Sequence, residues 1–76
     1  MNAQKLEKLT KMANQIGDYF AAQPAEIAAE GAAAHFRQFW TPKMIREIVE
    51  QHEAGQARLN PTAAAAIDRL RRQAHF

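Results

Sequence analysis

The sequence predicts an all-α fold, a compact bundle of about four short helices. Apolar residues recur at three- and four-residue steps along most of the chain, and no stretch alternates as a half-buried strand would. Two proline-led helix starts, Thr41-Pro42 and Asn60-Pro61, divide the second half. With 76 residues the chain reads as a single small helical domain. A domain of this size buries only ~60% of the surface its unfolded chain exposes, so its stability is narrow. No cysteine is available to staple it.

Helix one is expected over 3–22. Leu6, Leu9, Met12, Ala13, Ile16 and Phe20 form one apolar stripe. Gly17 interrupts the stripe, where glycine costs ~1 kcal/mol relative to alanine. Gln23 precedes Pro24 and is pushed out of the α region, which ends the helix near Ala22. Helix two is expected over 24–40, with Pro24 in its first turn. Its first half is alanine and glycine with Ile27 the one large apolar residue, and the aromatics gather at its far end. The small side chains invite close approach by a neighbouring helix.

Helix three is expected over 42–54, capped by Thr41 with Pro42 at the first helical position. Ile45, Ile48, Val49 and His52 share one face; Arg46, Glu47, Glu50 and Glu53 fall largely on the other, with Arg46 and Glu50 spaced to pair. Gly55 supplies a left-handed stop. Helix four is expected over 61–73, with Asn60 as cap and Leu59 placed to staple onto Ala64. Ile67 and Leu70 are its only large apolar residues, so it is expected to be the least anchored helix, with Ala74-His75-Phe76 frayed.

The residue inventory argues against catalysis by this chain. Serine and cysteine are both absent, which removes the common nucleophiles and any thiolate metal site. His35, His52 and His75 lack the i, i+4 spacing of a helical metal site, and the isolated glycines at 17, 31 and 55 cannot cradle a phosphate. Net charge is only +2, with the excess in the second half, mostly Arg69, Arg71 and Arg72. These arginines raise a helix-turn-helix reading. The Gly55–Asn60 connection is longer than that motif's turn, however, and the first turn of helix four lacks base-reading amides. A solvated basic turn at a helix C-terminus explains them more simply. The opening MNAQKLEKLTKM has no apolar h-region, and no apolar run approaches the ~20 residues that span a bilayer, so a soluble intracellular protein is expected.

The stretch HFRQFWTPKM, residues 35–44, stands apart from the rest. Phe39 and Trp40 follow Phe36 by three and four residues and so share its face, which pattern alone assigns to the core. Trp40, Met44 and Lys43, with Arg37 and Arg46 nearby, also have the composition of a protein-binding hot spot. Asn14-Gln15, two amides beside the apolar stripe, read equally as solvated or as hydrogen-bonding the backbone of a partner.

Met12-Ala13-Asn14-Gln15-Ile16, then Tyr19-Phe20, a proline, and His35-Phe36 leading into Phe39-Trp40-Thr41-Pro42-Lys43-Met44 together resemble the small delta subunit of NAD-dependent formate dehydrogenases. The resemblance runs from about Lys8 to Leu70. It implies a cytoplasmic, multi-subunit complex that oxidises formate and passes electrons to NAD. An alpha subunit holds a molybdenum or tungsten bis-pterin guanine dinucleotide and iron–sulfur clusters, while beta and gamma subunits carry FMN and further clusters. The resemblance implies that the delta subunit is not a cofactor carrier and acts as an accessory piece in assembly or stability; from the residues of this chain no metal, nucleic acid or membrane partner is expected. Two positions depart from the family pattern. Thr41 stands where aspartate is usual, which preserves the cap. Lys43 and Ile45 replace two arginines, and lysine cannot reproduce a bidentate arginine contact.

The resemblance places the contact with the alpha subunit on Asn14 and Gln15 together with Trp40, Pro42, Lys43, Met44 and Arg46. Phe36 and the inner face of Phe39 are assigned to the core. Alternative readings are a helical module that pairs with its own copy as a homodimer, and a nucleic-acid binder using Arg69, Arg71 and Arg72.

Overall fold

The computed structural model describes residues 2–73, which form four α-helices and no strand. The Asn2 side chain opens α1 (Ala3–Phe20), its oxygen accepting the Lys5 N–H at 2.8 Å. The helix closes two residues earlier than expected. Ala21 and Gln23 N–H groups turn back to the Asp18 and Phe20 carbonyls at 3.3 and 3.0 Å, tightening the last turn before the proline. Pro24 stands at the cap of α2 (Ala25–Phe39) rather than within its first turn. Its ψ of 147° is non-helical, and its carbonyl accepts the Ala28 N–H at 2.8 Å.

α3 (Pro42–Glu53) begins as its sequence predicts, with Thr41 Oγ1 accepting the Met44 N–H at 3.2 Å. It ends at Gly55, whose φ of 73° is left-handed. The Gln56 N–H reaches the Gln51 carbonyl at 2.9 Å and the Gly55 N–H reaches that of His52 at 3.1 Å, the paired bonds of a Schellman cap. α4 (Pro61–Gln73) is capped by Asn60, whose Oδ1 accepts the Ala63 N–H at 2.8 Å. Ala74-His75-Phe76, expected to fray, lie outside the described residues. Arg46 and Glu50 form no ion pair.

Phe36, Ile48 and Ile67 are the largest fully buried side chains, and Leu9, Trp40, Ile45, Val49 and Leu70 pack around them. The expectation that α4 is the least anchored helix is corrected. α4 packs against all three others and most extensively against α2. The buried face of α4 carries Ala63 and Ala66 beside Ile67 and Leu70, and that of α2 carries Ala28, Ala29, Ala32 and Ala33. Facing alanines allow a short interaxial distance, so backbone proximity adds to the two large anchors, Ile67 and Leu70. Gly17 has the same origin. A Cβ there would stand 2.9 Å from the Ala63 backbone nitrogen, so its helical penalty permits α4 to enter against α1.

Arginines fasten the α2–α4 seam at the surface. Arg69 pairs with Glu26 and, at 3.2 Å, with Glu30, while Arg37 bridges Glu30 at 3.0 Å and Gln73 at 2.5 Å. Exposed pairs of this kind contribute roughly 0–1 kcal/mol each. No described helix is long and apolar enough to cross a membrane.

Candidate functional site

Of the two neighbours that helical pattern assigns to the core, Trp40 is buried and Phe39 is not. Phe39 is the last residue of α2 and is 64% exposed, which corrects its assignment to the core. Trp40 is the C-cap, with an extended backbone (φ −92°, ψ 145°). Its N–H still bonds the Phe36 carbonyl at 2.9 Å. The backbone turn directs the indole inward, edge-on to Phe36 with ring centroids 4.7 Å apart, and leaves it 7% exposed. The helical wheel does not apply to a residue that has left the helix.

Asn14 finds its backbone partner within its own chain. Its Nδ2 donates to the Arg58 carbonyl at 2.9 Å and its Oδ1 accepts the Asn60 N–H at 2.8 Å. Asn60 returns the bond, its Nδ2 donating to the Asn14 carbonyl at 3.0 Å and to Asp18 at 3.1 Å. This reciprocal pair fixes the α3–α4 connection on α1 and aims the α4 cap. Gln15, the next residue, is exposed.

Gln15 instead helps line an open groove of about 590 Å³ between the C-terminal halves of α1 and α2. α1 contributes Met12, Gln15, Ile16, Tyr19 and Phe20; α2 contributes His35 and Phe39, with Trp40 at its end. The rings run in sequence. Tyr19 stands edge-on to Phe20 at 5.0 Å, Phe20 meets the His35 ring at 6.4 Å, and His35 lies 4.6 Å from Phe39. Gly31 makes room for this row, since a Cβ there would sit 2.8 Å from the Phe20 ring. Tyr19 is 80% exposed. Large rings presented this openly cost the isolated chain burial energy of ~1.5–3 kcal/mol per side chain.

The other expected contact residues follow Trp40 directly on the first turns of α3. Pro42, Lys43 and Arg46 are exposed, and Met44 is half-buried against the core. Gln15 and Trp40 thus meet in one groove, Pro42 to Arg46 adjoin it along the chain, and Asn14 is occupied internally. Tyr19, Phe20 and His35 were not among the expected contact residues. The continuation of the Met12, Ile16 and Tyr19 steps beyond what a small core can absorb is the signal that marks them.

A second, wider hollow of about 820 Å³ lies along α1, lined by residues including Leu6, Thr10, Lys11, Asp18, Gln56 and Arg58. It carries charges of both signs and no aromatic ring. His52 Nε2 lies 3.1 Å from Asp68 across the α3–α4 seam. Among the described residues no three His, Asp or Glu side chains converge as metal ligands would.

Fold and site define a small all-α protein whose distinctive surface, among the described residues, is an exposed aromatic groove rather than a cluster of reactive groups. That is the character of a chain built to associate. The chain belongs to the family of NADH-dependent formate dehydrogenase delta subunits, FdsD, whose model matches residues 8–67, and is thereby a subunit of an oxidoreductase complex. Comparison with curated proteins and with solved structures gives no match.

Proposed function

We propose that this chain is a non-catalytic accessory subunit of a cytoplasmic NAD-dependent formate dehydrogenase, seated on the alpha subunit that bears the pterin cofactor, where it supports assembly or stability. Family membership over residues 8–67 carries this reading. The exposed aromatic groove supports it, because a lone small protein gains nothing from Tyr19 and Phe39 in water. Formate oxidation and electron transfer fall to the other subunits, through molybdenum or tungsten bis-pterin guanine dinucleotide, iron–sulfur clusters, FMN and NAD. The docking surface includes Gln15, Pro42, Lys43, Met44 and Arg46, with the buried Trp40 lining the groove beneath them and Asn14 holding the scaffold behind.

Co-expression with a tagged alpha subunit tests this. The two chains co-purify, and deleting this gene lowers formate-dependent NAD reduction or the yield of assembled complex. Failure to co-purify together with unchanged activity on deletion refutes the proposal. The same exposed rings favour a second reading, self-association across a two-fold axis. A strictly monomeric mass by light scattering at high concentration would dismiss it.

A further inference from the structure

We draw no further inference here: the strongest candidate, the aromatic groove between the C-terminal halves of α1 and α2, is an unpartnered apolar face, and nothing in the structure shows what covers it.

Discussion

Replacing Asn14 by alanine separates a scaffold role from a docking role. The substitution deletes two side-chain hydrogen bonds, to the Arg58 carbonyl at 2.9 Å and from the Asn60 N–H at 2.8 Å, and leaves a half-buried N–H at the α4 cap without its acceptor. Each bond contributes about 1 kcal/mol net, and an abandoned buried donor costs ~1–3 kcal/mol. Water reaches the exposed Arg58 side and recovers part of that loss. The expected destabilisation is therefore about 2 kcal/mol, against a total of roughly 4–11 kcal/mol for 76 residues. With a urea slope near ~1 kcal/mol/M, the unfolding midpoint falls by about 2 M. Circular dichroism at the helical band measures it, with Gln15→Ala as the control expected within ~0.5 kcal/mol of wild type. An Asn14→Ala protein as stable as wild type that nonetheless fails to bind the alpha subunit would show that Asn14 faces the partner, and the internal assignment would fall.

Gly17→Ala gains ~1 kcal/mol of helix propensity but places a methyl 2.9 Å from the Ala63 backbone nitrogen, so a net loss of ~1–3 kcal/mol is expected in urea melts. Gly31→Ala meets only the half-buried Phe20 ring, which can swing aside, and should cost less than Gly17→Ala; the reverse order would contradict the close approach of α4. Gly55→Ala forces a side chain to φ 73° and should lower stability by ~1–2 kcal/mol, read as a drop in melting temperature. Trp40→Ala should cost ~3–5 kcal/mol, and wild-type fluorescence should peak at the blue-shifted position of a buried indole, because Trp40 is the only tryptophan. Emission typical of a solvated indole would place it outside the core.

Helix limits are legible in the sequence because their signals are local. Thr41-Pro42, Gly55 and Asn60-Pro61 each satisfy or release backbone groups within a few residues, and the bounds they predict for α3 and α4 agree with the structure to within one residue. Which aromatic turns inward is not local. Phe39 and Trp40 differ by one position, and their fates are decided by a backbone that becomes extended at Trp40. The importance of α4 is likewise hidden. Alanine reads as helix propensity in sequence, and only the opposing alanines of α2 turn it into an interface. Asn14 is the sharpest case, since its partners lie 44 and 46 residues away. An amide that recognises backbone looks the same in sequence whether that backbone is a partner's or its own.

The distribution of side chains leads to a last expectation. Among the described residues, seven of the fifteen buried apolar side chains are alanines, which remove little apolar area each, while Tyr19, Phe39 and Ile27 remain outside. The chain thus withholds large rings from its own core, where Phe39 alone would contribute ~1.5–3 kcal/mol if buried. A narrow stability margin and an aromatic groove are two sides of one arrangement. A partner that binds only the folded chain adds RT ln(1 + [L]/Kd), about 2.7 kcal/mol at a hundredfold excess over Kd, comparable with the stability of several of the contacts described above. Free chain should therefore be cut by dilute protease roughly a hundredfold faster than chain in complex with the alpha subunit, since cleavage follows the open population and that population falls by the same factor. Equal cleavage rates, under conditions where the complex is demonstrably saturated, would mean that docking leaves the folding equilibrium of this chain untouched.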